Sequence, residues 1–488
     1  MGGKDQQQLL EQGNEAYRAG AFARARDVWA RILEDDPANF DALTSLMNAY
    51  HQMNDSSGPI PFFERAREAA PEDERITIYF VDALVANQED QKAFHLANEA
   101  LETHPDNSNL RVQVGRGWMG LGESEKARKE LWAAIEIDPA IVIPIYYLAR
   151  IGDERDLDRL DSLAAEAWQR RDTLEPSTCL MLAYAMGAIA EKQGRFDDAW
   201  SAYVAANDIH KNLVLFDEMG FVDVVTENLK HFGNAVPPPA SNDAPGQNLI
   251  FIVSLPRSGS TLTEQILASH SRVKTIGERT LVHEAFQVWN EHRTPAALEE
   301  ARNTYLTSAR ALANCADDDD PIIVDKSITN YISLGFLRML FPGAKFVHVV
   351  RAPMDAALSC YATPFGLNAL KWCSDFGSIA RVFRRYQKLM KIWMRHDRGD
   401  LMTLTYEDLT ADPDTKVREL IAFCGLEWEP ACLDFHKSKR QVSTASVSQV
   451  RRPIYKSVQG RAAPFDEYLG PLKKVLGRAA SPDWYRKI

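Results

Sequence analysis

Pro37, Pro71, Pro105 and Pro139 stand 34 residues apart, and each follows an amphipathic helical pattern ending in a short acidic or polar turn. This fixed period constrains the first half of the chain more than any other feature, because it leaves room for two short helices and their turns. A unit that small cannot bury its apolar face alone, so successive units must stack into a solenoid. Small residues recur inside the units: Gly20 and Ala25, then Gly122 and Ala127, with Ala93 at the intermediate register and Gly194 and Ala199 at the same spacing later. They let paired helices approach closely. Tyr17, Trp29, Phe63, Trp132, Tyr184 and Tyr203 are expected between helices as packing. The second unit is degenerate, since Pro59 takes the small-residue position and Asp55-Ser56-Ser57-Gly58 loosens the turn.

A 34-residue period with this grammar is the tetratricopeptide signature. The register slips from Ile151, and a further helical pair between Leu182 and Asn207 completes the array before a capping segment. Val236 to Gly246, VPPPASNDAPG, then reads as a stiff connector with no periodic apolar face. The expected division is an all-α solenoid over 1–235, a proline-rich linker over 236–246, and a second domain over 247–488. A solenoid offers a concave surface to a protein or peptide partner, and scaffolding or homodimerisation is the alternative role.

The second half changes character. Apolar runs at Leu249 to Val253, Ile322 to Val324, Lys345 to Val350 and Leu401 to Thr405 alternate with helical stretches, as in a parallel α/β sheet. In such sheets ligands sit off the carboxyl ends of the strands, so Arg257, Lys326, Arg351 and Tyr406 are expected around one crevice. The first run leads into Leu255, Pro256, Arg257, Ser258, Gly259, Ser260 and Thr261 at the start of a helix. Amides converge at a helix start, the dipole there favours an anion, and Gly259 lets the backbone approach a ligand. Arg257 adds a permanent cation, and the hydroxyls of Ser258, Ser260 and Thr261 add donors. A nucleoside triphosphate loop would read G-x-x-x-x-G-K-[ST]. Here Ser254 replaces the first glycine and Ser260 the lysine, which suits a compact anion without a metal. An ordinary strand-turn-helix corner with a capping serine is the plain alternative.

Composition sets the class. A length of 488 residues implies two domains, and a net charge of −12 argues against nonspecific binding to nucleic acid or anionic membranes. No apolar run approaches the roughly 18 to 20 residues of a membrane span, and MGGKDQQQLLEQG lacks the layout of a secretory signal, so a cytoplasmic location is expected. Six cysteines without C-x-x-C spacing imply reduced thiols and no metal site. One local exception to the acidity is Lys437 to Arg461, with seven basic residues and no Asp or Glu.

The apolar strand followed by PRSGST resembles the 5′-phosphosulfate loop of sulfotransferases that use 3′-phosphoadenosine 5′-phosphosulfate (PAPS), especially tyrosylprotein sulfotransferases and their bacterial relatives. The resemblance covers roughly Asn248 to Leu472 and implies a P-loop-like α/β domain. By the match, Arg351 and Ser359 bind the 3′-phosphate, so the two anionic ends of the nucleotide have separate receivers. Lys326 contacts the transferring sulfuryl group, Glu278 of the Gly277-Glu278 segment is the base, and Tyr406 touches the nucleotide. Glu407 and Asp408 cap the turn after it. His283 and His270 are alternative bases. The carboxyl-terminal lid is matched by Ser446 at the transfer centre and Arg461 at the adenosine phosphates, with Arg451 and Arg452 beside Pro453. Ala462 and Ala463 depart from the tryptophan usual there, and Arg279 replaces a second glutamate of the family. The implied reaction is sulfuryl transfer to a hydroxyl, tyrosine-type in a protein or peptide recruited by the repeats. Sulfation of a small molecule or glycan, a non-catalytic nucleotide-binding adaptor and a kinase-like enzyme are the rivals.

Overall fold

A computed structural model describes residues 3–53, 55–87, 89–234, 243–316, 320–365, 370–437 and 460–486. Helices Gly3–Arg18 and Phe22–Asp35, Glu74–Ala86 and Asp90–Thr103, and Ser108–Leu121 and Ser124–Ile137 pack as successive pairs, whereas Phe40–Gln52 and Ile60–Ala69 of the second unit pack mainly on their other neighbours. Ile143–Ile151, Leu157–Gln169 and Pro176–Lys192 follow. The proline period is the period of helix stops and starts. Pro37, Pro71 and Pro105 each lie two residues before an N-cap, and the side chains of Asn39, Asp73 and Asn107 accept from the amides of Ala42, Arg75 and Leu110. Each such cap is worth about 1 kcal/mol. Ala25 and Ala127 are fully buried where helices meet. Gly13 shows how close that approach is, because a Cβ there would fall 2.2 Å from the Trp29 indole nitrogen.

The compact division of the chain falls after Gln193, ahead of the proline-rich connector where the sequence pattern puts it. Helices Phe196–Leu213 and Glu218–Phe232 pack on the α/β unit instead of extending the repeats. Trp200 stacks between Tyr361 and Tyr468 at ring distances of 5.4 and 5.1 Å. Asn207 Nδ2 donates to Tyr361 O at 2.9 Å, and His210 Nδ1 lies 2.7 Å from Ser374 Oγ. Phe232 closes on Trp289 and Phe336. The expected 236–246 linker lies largely outside the described residues.

The second unit is built on a five-stranded parallel sheet: β1 Leu249–Ser254, β2 Val273–Gly277, β3 Ile322–Asp325, β4 Lys345–Val350 and β5 Leu401–Thr405, in the order β2-β3-β1-β4-β5. All six β1 residues are buried, which is why that strand reads as a continuous apolar run. Phe251 centres the core, against Phe341, Phe346 and Tyr305. The four sequence-predicted strands are present, and β2 is the addition. β1 lies between β3 and β4, so the chain departs from it in both directions and opens a crevice at its carboxyl end.

Candidate functional site

Strand register determines which residues meet at this crevice. Gly277 is paired with Asp325, and the Lys326 amide donates to Gly277 O at 3.1 Å, so the next residues on β2 and β3, Glu278 and Lys326, emerge side by side. Val350 is paired with Thr405, so Arg351 and Tyr406 emerge side by side from β4 and β5.

At the end of β1 the backbone turns through Arg257 at φ 65° and Gly259 at φ 105°. Arg257 carries a side chain in the left-handed region, an arrangement that costs energy and is concentrated at functional turns. At Gly259 a Cβ would stand 2.8 Å from Tyr406 Cδ2, so glycine is required by space as well as by backbone. Helix Ser260–Ala268 begins there, with Ser258, Ser260 and Thr261 buried in the turn. Its backbone ladder opens with Thr263 N donating to Gly259 O, which leaves the preceding amides at the turn outside the ladder. Pro256 lies against the Pro353–Tyr361 helix, where Cys360 Sγ is 3.7 Å from its carbonyl.

The β4 corner is interlocked with this loop. Arg257 Nε donates to Ser359 Oγ at 2.9 Å, and Arg351 Nη1 donates to Arg257 O at 3.2 Å. The two corners, carried by the adjacent strands β1 and β4, are thus hydrogen-bonded to each other. Arg461 joins it, with Nη1 3.5 Å from the same Ser359 Oγ. The Arg351 guanidinium lies 4.9 Å above the Tyr406 ring and 3.9 Å from Asp355. Burial is the largest influence on Arg351 and pulls its pKa down, with Asp355 and Tyr406 acting against it and Arg461 with it. Glu407 Oε1 accepts from Ala352 N at 2.9 Å, which fixes the β4 corner. Thr405, not Glu407 or Asp408, caps the following helix by accepting from the Asp408 amide. Ser446, Arg451 and Arg452 lie outside the described residues.

On the other side of β1, Lys326 Nζ is 2.7 Å from Glu278 Oε1 and 3.6 Å from Glu264 Oε2. Burial, the largest influence, works against the ammonium, but the two carboxylates outweigh it and raise its pKa. Asp325 holds this turn in place, accepting from Ser327 N, Asn330 Nδ2 and the Tyr305 hydroxyl at 2.8 to 2.9 Å. Burial pushes the Asp325 pKa up, and the hydrogen bonds oppose it. His270 is occupied elsewhere: Nε2 is 2.8 Å from Glu427 O, and Nδ1 accepts from Arg272 N. His283 is exposed, with Nε2 2.8 Å from Gln287 Nε2. Among the described residues no group of three or more His, Cys, Asp or Glu could hold a metal, and no helix is long and apolar enough to cross a membrane.

Glu264, Asp355 and the cross-strand role of Glu407 do not emerge from the sequence reading. Glu264 leaves one signal, a carboxylate in the helix STLTEQILA that is otherwise hydroxyl-bearing, amide or apolar. The assembled site offers two guanidinium groups at one serine hydroxyl, a third bonded to the Arg257 carbonyl, and beside them a lysine between two carboxylates. The first arrangement suits a polyanion and the second suits charge and proton transfer.

Residues 249–430 match the Sulfotransferase family. The chain is 27% identical to an uncharacterized protein of Aquifex aeolicus (strain VF5), over 96% of this chain and 64% of that protein. It is 28% identical to protein-tyrosine sulfotransferase 1 of Danio rerio, over 42% of this chain and 60% of that protein. It thus spans less than two thirds of the length of either relative. Among solved structures, the sulfotransferase domain from the curacin biosynthetic pathway aligns with 46% of this chain and 98% of its own at 18% identity, with a TM-score of 0.29.

Proposed function

We propose that this chain, whose residues 249–430 form a sulfotransferase-family domain, moves the sulfuryl group of PAPS to a hydroxyl acceptor, and that the acceptor is a protein or peptide recruited by the repeats. The observation that carries the donor half is that Arg257 and Arg461 both reach Ser359 Oγ while Arg351 is bonded to the Arg257 carbonyl. Against these three guanidinium groups stand the carboxylates of Asp355, 3.9 Å from Arg351, and Glu407, which leaves an excess of positive charge that suits a nucleotide with phosphate at both ends. Protein-tyrosine sulfotransferases among the relatives favour a protein acceptor over a small molecule or glycan.

The nucleotide supplies the sulfuryl group and, as its leaving group, a phosphate. The turn from Pro256 to Thr261 holds the 5′ end through amides and hydroxyls, and Arg351, Ser359 and Arg461 hold the 3′ end. Arg257 bridges the two, being tied to Ser359 by its side chain and to Arg351 by its carbonyl. Tyr406 supports the Arg351 guanidinium from below. Glu278 receives the acceptor proton on the oxygen that otherwise meets Lys326. Lys326, released from that bond, turns to the charge developing on the departing phosphate.

Calorimetry with 3′-phosphoadenosine 5′-phosphate in magnesium-free buffer tests the donor assignment. The intact protein is expected to bind it, Arg351→Ala to lose about tenfold or more in affinity, and Glu278→Ala to bind as the parent does. Absence of heat with the intact protein, or displacement by magnesium-ATP, sinks the assignment.

A further inference from the structure

Asp355 accepts backbone N–H groups from both sides of Arg461: Gly460 N at 2.8 Å on Oδ2 and Ala462 N at 2.9 Å on Oδ1. These partners lie 105 and 107 residues further along the chain, so the contact is purely tertiary. Asp355 is buried in the first turn of the Pro353–Tyr361 helix, where the helix dipole favours its charge. Ser359 lies one turn further on the same helix. A carboxylate that accepts both flanking amides fixes the backbone of the residue between them. The side chain of that residue, Arg461, reaches Ser359 Oγ at 3.5 Å. One helix thus carries both the clamp and the place where the clamped guanidinium arrives.

We propose that Asp355 is the positioning residue for Arg461, presenting its guanidinium to the 3′-phosphate of the nucleotide. The inference rests on the donor reading above. It also accounts for the burial of Ala462, whose segment is held by its backbone.

Two roles of Asp355 predict opposite signs. As a negative charge 3.9 Å from Arg351, it opposes anion binding, and its removal should tighten the complex. As a clamp, it supports binding, and its removal should weaken the complex. Calorimetric titration of the full chain with 3′-phosphoadenosine 5′-phosphate separates them. In Asp355→Asn, an amide N–H faces a backbone N–H, and affinity is expected to fall about tenfold. Arg461→Ala should fall by a similar factor, and the double variant no further than the weaker single one, because both remove the same interaction. Ala462→Pro removes one clamped N–H and leaves every charge in place; the φ of −72° at Ala462 suits proline. It should weaken binding in the same direction, and in each variant the donor KM should rise while kcat stays within about twofold. Unchanged or tighter binding by Asp355→Asn, or losses that multiply in the double variant, overturns the positioning role while the donor assignment stands. No binding by the parent chain overturns the donor assignment and this role with it.

Discussion

Lys326 is fully buried between two carboxylates, and the inequality of its contacts bears on the base role proposed for Glu278. Glu278 is the nearer partner at 2.7 Å and is partly open to solvent, whereas Glu264 stands at 3.6 Å and is buried. When Glu278 takes a proton its charge is lost, and a buried ammonium would be left uncompensated without Glu264. Glu264 therefore lets Glu278 release Lys326 at modest cost. Glu264→Gln keeps the shape and removes the charge, so Lys326 binds Glu278 more tightly and the base becomes less available. Turnover should fall about tenfold with the donor KM nearly unchanged. Initial rates at saturating donor decide this, and unaltered turnover would reduce Glu264 to packing. The motif residues Arg257, Arg351, Lys326 and Glu278 could be read from the sequence because each follows a strand end beside local punctuation, and Ser359 by its spacing from Arg351 on the next helix. Glu264 and Asp355 could not, since their chemistry depends on partners far along the chain.

At the scale of elements, parallel register does the assembling: Gly277 with Asp325 and Val350 with Thr405 deliver four side chains to one sheet edge. Shifting β5 by one residue would turn Tyr406 away from Arg351. Its start is pinned by a buried pair, with Arg338 Nε and Nη2 donating to Asp400 at 2.9 and 2.8 Å and Nη1 to Trp393 O at 2.7 Å. Arg338→Met leaves the Asp400 carboxylate with Arg398 alone, and should cost about 3 to 5 kcal/mol in urea unfolding at neutral pH. Burial, the largest influence on Asp400, raises its pKa, but the bonds from Arg338 and Arg398 outweigh it, and the pKa falls below the usual value. A lowered folded pKa stabilises above the unfolded value of about 3.9 and is lost as pH falls through the folded one. The parent should accordingly lose stability steeply on acidification below about pH 4, and Arg338→Met less so. Equal slopes would contradict that assignment. The strands buried on both faces were legible as apolar runs. The sequence reading missed β2, a short edge strand in which Lys274 interrupts the run and whose end merges with the Gly277-Glu278 segment.

At the scale of the whole molecule, the repeat grammar and the packing disagree about where one unit ends. Gly194, Ala199 and Tyr203 repeat the spacing of the earlier units, so helix Phe196–Leu213 reads as one more repeat. Yet its aromatic and polar face holds the helix that carries Asp355 and Ser359, through Trp200 on Tyr361 and Asn207 on the Tyr361 carbonyl. No local pattern distinguishes a face that meets another repeat from one that meets a sheet's covering helix, because both call for the same small and aromatic residues. Two truncations expose the difference. A chain beginning at Gly194 retains Trp200, Asn207, His210 and Phe232, and should bind 3′-phosphoadenosine 5′-phosphate within about twofold of the full protein. A chain beginning at Val236 strips that support from the Pro353–Tyr361 helix and exposes buried aromatic surface worth roughly 1.5 to 3 kcal/mol per side chain, so it should aggregate or lose binding. Equal binding by both would show that these two helices do not support the donor site. On the proposed function, the Gly194 chain also tests recruitment: its rate on a small phenol should equal that of the full chain while its rate on a protein acceptor falls, and equal rates on both would place acceptor choice within the α/β unit.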